Sequence, residues 1–195
     1  MRPLSFSFLP VLAAGGCALL LASCQTTPRP GPAFIAKAGP RGPLVHRETR
    51  FTFPYQVGAF HRVRHTQYSP EGREISVVYN HDTPSISATI YVYPSAGRSI
   101  EAEFVRLQRE IKESHPGAKV LARAGTTLTP DKKPGIYADY RYEGKFAGTM
   151  QPLRSTLALG QRGDHFVEYR LSYRATDHEA AAPLVRQLEE EFAWP

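Results

Sequence analysis

The stretch "SISATIYVYPSAGRSIEAEFVRLQREIKESHPG", residues 85–117, changes its hydrophobic period midway. In its first ten residues Ile86, Ala88, Ile90 and Val92 fall on one face and Ser87, Thr89, Tyr91 and Tyr93 on the other, the period of a half-buried strand. The period then lengthens: Ile100, Phe104, Leu107 and Ile111 recur at helical spacing, Ser99 stands ready to cap, and Glu101 and Glu103 occupy the first turn. Pro116-Gly117 ends the helix. A two-faced strand followed by a one-sided helix predicts an α+β arrangement in which helices cover an antiparallel sheet.

The flanking sequence extends this pattern. "GAFHRVRHTQY" (58–68) and "REISVVYN" (73–80) read as a hairpin about the turn "SPEG" (69–72), and "HRETRFTF" (46–53) reads as a strand before them. After the helix, "AKVLARAGTTL" (118–128), "GIYADYRYEG" (135–144), "TMQPLRSTLALG" (149–160) and "DHFVEYRLSYRA" (164–175) read as four more strands, with turns at "EGK" (143–145) and "QRGD" (161–164). A last helix carries Leu184, Val185, Leu188 and Phe192 on one side. Thr176 and Glu179 have capping-box spacing, but Pro183 would then lie too deep for the first turn, so regular helix is expected from about Ala180. The expectation is a single α+β domain over 46–195, an antiparallel sheet of about six to seven strands with two helices packed on one face.

Ahead of that body, Met1 and Arg2 precede an apolar run from Leu4 to Leu21 that Pro3, Pro10 and Gly15-Gly16 keep shorter than the roughly 20 helical residues a bilayer core requires. Such a run has the architecture of a secretory leader over residues 1–23. Leu21-Ala22-Ser23-Cys24 resembles the lipobox of bacterial lipoproteins. That resemblance implies cleavage between Ser23 and Cys24, a diacylglyceryl group on the Cys24 thiol and acylation of its new amino group. Two or more acyl chains hold a protein on a membrane where one gives only marginal binding. Gln25 is not the Asp that resembles an inner-membrane retention signal, which points to the outer membrane facing the periplasm. Residues 24–45, with "QTTPRPGPAFIAKAGPRGP" at 25–43, are too rich in proline and glycine for helix or sheet and read as a tether, with Phe34-Ile35 as an apolar island.

The two cysteines, Cys17 and Cys24, both belong to this front end, so the body holds no thiol for a disulfide, a metal or nucleophilic catalysis. Lys and Arg number 24 against 18 Asp and Glu, a net +6. The excess concentrates in residues 41–73, where Arg47, Arg50, Arg62 and Arg64 form a candidate basic patch for lipid phosphate or an acidic envelope polymer. No nucleic-acid motif is present, and nucleic acid is not an expected partner.

The succession "FPYQVGAFHRV", "ATIYVYP", a polar helix and a late "FVEYRLSY" before a C-terminal helix resembles uncharacterised exported bacterial proteins. The order of elements over about 50–194 is also similar to the PsbP and Mog1 group of α+β domains, which implies an assembly or binding module and transfers no functional residue.

Catalytic motifs fail individually. "HEAAA" (178–182) has Ala182 where a zinc protease needs its second His, and "YPSAG" (93–97) has Tyr93 where a nucleophile elbow needs Gly. "GQRG" (160–163) reads as a hairpin tip, and "NHD" (80–82) as a turn. His61 and His65, four apart on a strand, would share a face about 13 Å apart, too far for one metal ion. No catalytic residue, metal ligand or cofactor is assigned. Two readings remain: a lipid-anchored envelope module binding a protein, peptidoglycan or lipid partner, and a small periplasmic hydrolase gathering Asp139, Glu168, His81 or His165 in a deep pocket. For the first, Tyr91, Tyr93, Tyr137, Arg141 and Tyr169 are the candidate binding face, if the sheet brings them together on a side the helices leave open.

Overall fold

A computed structural model describes residues 34–36, 39, 41–127 and 134–192. Ser23, Cys24 and the leader lie outside the described residues. The chain runs β1 (Phe34–Ala36), β2 (Leu44–His46), β3 (Thr52–Phe53), β4 (Gln56–Val57), β5 (Phe60–Gln67), β6 (Ile75–His81), β7 (Ile86–Pro94), α1 (Ile100–Ser114), β8 (Lys119–Thr127), β9 (Pro134–Phe146), β10 (Thr149–Arg162), β11 (His165–Arg174) and α2 (His178–Glu191). An α+β fold follows, as the alternation predicts. Eight strands form one antiparallel sheet in the order β4-β5-β6-β7-β11-β10-β9-β8, and β1-β2-β3 form a small second sheet.

The helices do not share a face. Directly opposed residues of neighbouring strands lie on the same side of a sheet, and Phe166 opposes Tyr93 while Val167 opposes Val92. Phe166 joins Leu157, Leu159, Ala138 and Tyr140 beneath Phe104, Leu107 and Ile111 of α1. Val167, Tyr169 and Leu171 join Ile90, Val77 and Tyr79 on the other side, with Val185, Leu188 and Phe192 of α2. Thus α1 covers one face over β9 and β10, while α2 covers the opposite face. This corrects the expectation of two helices on one face: β11 is buried on both faces, residue after residue from His165 to Tyr169, which requires a layer on each side.

Local signals explain most boundaries. Ser99 caps α1 by accepting a 3.2 Å hydrogen bond from the Ala102 amide, satisfying one of the amides a helix start leaves orphaned. Ser99→Ala should lower the unfolding free energy by about 1 kcal/mol, read as an earlier urea midpoint with an unchanged slope; an unmoved midpoint would show that water serves as well.

Four local readings change. "HRETR" turns instead of extending: the His46 carbonyl accepts from the Arg50 amide, and Arg50 takes φ 59°. The hairpin of β9 and β10 tips at Ala147-Gly148, both at positive φ, so "EGK" stays in strand. The island Phe34–Ala36 pairs with Leu44–His46, so this part of the expected tether is sheet. Finally, α2 begins at His178, led in by a 3-10 turn over Ala175–Asp177, and keeps Pro183 inside. The His178 ring, stacked on Tyr173 and bonded to its hydroxyl at 2.9 Å, anchors that earlier start.

Candidate functional site

Because each helix covers only part of its face, each leaves a hollow at its flank. Beside α2, a cavity of about 260 Å³ is walled by His178, Ala182, Val185, Arg186 and Glu189 of the helix and by Tyr137, Asp139, Thr156, Ala158 and Tyr173 of β9, β10 and β11. The helical positions recur every three or four residues and so form one stripe. The sheet positions share a face, since Asp139 opposes Thr156 and Tyr137 opposes Ala158.

Charge in this cleft is arranged but not neutralised. Asp139 accepts a 2.7 Å hydrogen bond from Thr156 Oγ1. Glu189 Oε1 is shut off from solvent without a hydrogen-bond partner. Burial, then the charges of Asp139 and Glu190, push the Glu189 carboxyl up to about 7, with Arg186 opposing. Tyr173 is raised as well, by burial first, then by Asp139; Arg154 and Arg186 pull it down and Glu189 pushes it up. Two acids and two guanidinium groups therefore surround one phenol. Buried Tyr169, raised by desolvation and by Glu189, leaves its hydroxyl without a partner behind the cleft.

The hollow beside α1 has a different character, for its charges are paired. Glu103, fully buried, accepts from Arg98 Nε and Arg106 Nη2, each at 2.7 Å. Burial alone would raise its carboxyl, but Arg106, Tyr93 and Arg98 together hold it below the usual range. Tyr93 hydroxyl lies 3.1 Å from Glu103 Oε1 and 3.0 Å from Glu168 Oε2. A hydroxyl carries one proton and can donate to only one of them. Burial raises the Glu168 carboxyl, while Arg170 and Tyr93 oppose the shift. Arg170 binds Glu168 and, at 3.0 Å, Glu110, with its guanidinium over the Tyr91 ring. This network locks α1 to β7 and β11.

The five-residue binding face divides accordingly. Tyr91 and Tyr93 oppose Glu168 and Phe166 on the α1 side, whereas Tyr137, Arg141 and Tyr169 lie on the α2 side, with Tyr169 buried. Only Tyr137 lines the α2 cleft, and Arg141 stands one rung beyond it. The hydrolase set is not gathered either. Asp139 and Glu168 occupy opposite faces, His81 Nδ1 lies 2.8 Å from the Pro84 carbonyl, and buried His165 contacts Asp164 and Glu48 while its ring meets His46 edge-on. A bulge at Val63 sends His61 and His65 to opposite faces, since His61 opposes Asn80 and His65 opposes Val77. The same bulge splits the basic patch. Arg62 donates to the Phe53 and Gly42 carbonyls, on the face opposite Arg64, while Arg47 and Arg50 stand exposed in the turn after β2. Among the described residues no group of three His, Cys, Asp or Glu side chains is placed to hold a metal ion.

Sequence reasoning missed Glu189, His178, Tyr173 and Arg186 as a group. Their helical spacing was visible, but which strands face them was not.

No protein-family model and no curated protein matches the chain. Among solved structures, similarity extends to a Pseudomonas aeruginosa protein of unknown function, at 18% identity and TM-score 0.42, covering 74% of this chain and 94% of that one. It also extends to the cyanobacterial PsbP (CyanoP) of Synechocystis, at 12% identity and TM-score 0.48, covering 79% of this chain and 95% of that one. At these values neither likeness carries an activity or a partner across.

Proposed function

We propose that this chain is a lipid-anchored cell-envelope protein whose α+β domain acts by binding, held through Cys24 on the outer membrane and facing the periplasm. The observation that carries the binding role is the contrast between the two helix flanks. At α1, Glu103, Glu110 and Glu168 are each held by arginine, the economy of a structural network; at α2 the acids and arginines around an open cleft stay apart. The anchor is supported by Leu21-Ala22-Ser23-Cys24 and by the proline-rich segment after it. The partner belongs to the envelope: a protein, peptidoglycan or a lipid component. Tethering raises local concentration toward the millimolar range, so a weak contact suffices.

Cys24→Ser is expected to move the protein from the membrane fraction to the soluble fraction, because one or no acyl chain cannot hold it; unchanged sedimentation with membranes would refute the anchor. Crosslinking of the tagged full chain in intact cells should capture a reproducible envelope adduct. Captures no richer than those of an untagged control would refute the binding role.

A further inference from the structure

Beyond the cleft, the sheet bears an arrangement that a stable fold would avoid. Lys119 of β8 directly opposes Arg141 of β9, and Arg141 directly opposes Arg154 of β10. Like charges in direct cross-strand opposition are destabilising, and adjacent strands lie only about 4.8 Å apart. No side-chain hydrogen bond or ion pair relieves any of the three among the described residues. A bulge at Leu121 is what makes the row: Val120 opposes Tyr140 and Ala122 opposes Asp139, so the extra residue sets Lys119 on the same face as Arg141.

This basic rung adjoins the acidic cleft. Arg141 and Asp139 are two apart on β9 and project from the same face, a step of about 7 Å along a strand. Arg154 opposes Tyr173, which itself lines the cleft. Side by side on one open surface are an uncompensated cationic row and a cavity holding Asp139 and Glu189, whose inner oxygen lacks a partner. Ala158, Ala182 and Val185 add apolar wall to that cavity, Ala158 one rung beyond Asp139. Neither a simple cation nor a simple anion answers both features.

We propose that this surface binds a zwitterion, its ammonium group against Asp139 and Glu189 and its anionic group on Arg141 and Arg154, the two charges about 7 Å apart along an apolar stem. The assignment deepens the binding role proposed above and rests on it, while owing nothing to the lipid anchor. Occupation of the row removes the repulsion among its members, and the ammonium offsets the negative charge of Asp139 and Glu189. Affinity depends on pH through Glu189, which faces Asp139 of β9, Tyr169 and Tyr173 of β11 and Arg186 and Glu190 of its own helix, with Arg154 of β10 acting on Tyr173 beside it. With its carboxyl pushed up to about 7, it is ionised and attractive to ammonium above that pH and neutral below it.

The test titrates 6-aminohexanoate, whose charges stand at about this separation, into the purified full chain in non-ionic detergent at pH 8, followed by calorimetry. Hexanoate, hexylammonium and glycine serve as ligands lacking one charge or the stem. Saturable binding of 6-aminohexanoate, at least tenfold tighter than any of the three and weakened at least tenfold by Asp139→Asn and by Arg141→Ala, is expected. Binding should also weaken between pH 8 and pH 6. Circular dichroism confirms that the exposed-site variant Arg141→Ala remains folded. Absence of saturable binding, equal binding of hexanoate or hexylammonium, or unchanged affinity in both variants would overturn the assignment. Should the titration fail while the intact-cell adduct persists, the zwitterion is wrong and the binding role stands; should the adduct also be absent, both fall.

Discussion

Phe192→Ala should destabilise the domain by about 3–5 kcal/mol, the range for removing a buried aromatic ring. Phe192 is 1% exposed and sits immediately after α2, its amide bonded to the Leu188 carbonyl. Its ring stacks on Phe51 at 5.9 Å and 7° and meets Phe53, Tyr79 and Tyr169 edge-on at 6.4, 5.1 and 6.1 Å. These four rings come from three separate parts of the chain: the segment around β3, the sheet strand β6 and the central strand β11. Alanine would leave a cavity that none of them can fill without abandoning a ring contact with the others. The measurable signs are a large drop in the urea midpoint and earlier exposure of the β2–β3 segment to hydrogen exchange. A loss under about 1 kcal/mol would show that α2 closes onto the sheet without this ring.

Glu189→Gln is expected to work in the opposite direction. In the folded state the carboxyl is raised from its ordinary value of 4.5 to about 7, so the native state holds a proton where the unfolded chain has released it. Stability contributed by this group is fully present below about pH 4.5 and is lost as pH rises through 7. Each tenfold difference in proton affinity between the folded and unfolded chain corresponds to about 1.4 kcal/mol, and the solvent reached by the outer stem reduces the total to about 2 kcal/mol. The amide keeps the shape and carries no charge, so the variant should be more stable than the parent by that amount at pH 8 and equal to it at pH 4. Thermal unfolding at the two pH values measures both. An equal gain at both would assign the effect to packing and not to charge; a loss at pH 8 would mean that the ionised carboxylate already has a partner.

Retention of a destabilising carboxylate beside an uncompensated row of cations is what the proposed binding role predicts. Stability falls at functional sites because a group ready for a ligand cannot also be satisfied by its own fold. The α1 flank gives the contrast: Glu103 is also closed off from solvent, yet three donors meet it and its carboxyl is held low instead of high.

The individual elements of this fold were legible in short windows of residues. The alternation from Ile86 to Val92, the Ser99 cap, the helical recurrence from Ile100 to Ile111, the stop at Pro116-Gly117 and the "SPEG" turn all depend on residues within a few positions of one another. Chemistry at that range establishes each element, and with it the α+β class. How the faces join is settled at long range. A period of two says which residues of one strand share a side, but only the register between strands says which sides meet, and one extra residue reverses the answer. Val63 separated His61 from His65 and Arg62 from Arg64, while Leu121 aligned Lys119 with Arg141. Tyr91 and Tyr93 parted from Tyr137, Arg141 and Tyr169 through the unbroken register of β7, β11, β10 and β9. Burial of both faces of β11 placed α1 and α2 on opposite sides, and only that placement lowered Glu189 over Asp139. Long-range pairing created the cleft, and pairing energies summed over the whole sheet are invisible to any window of neighbouring residues.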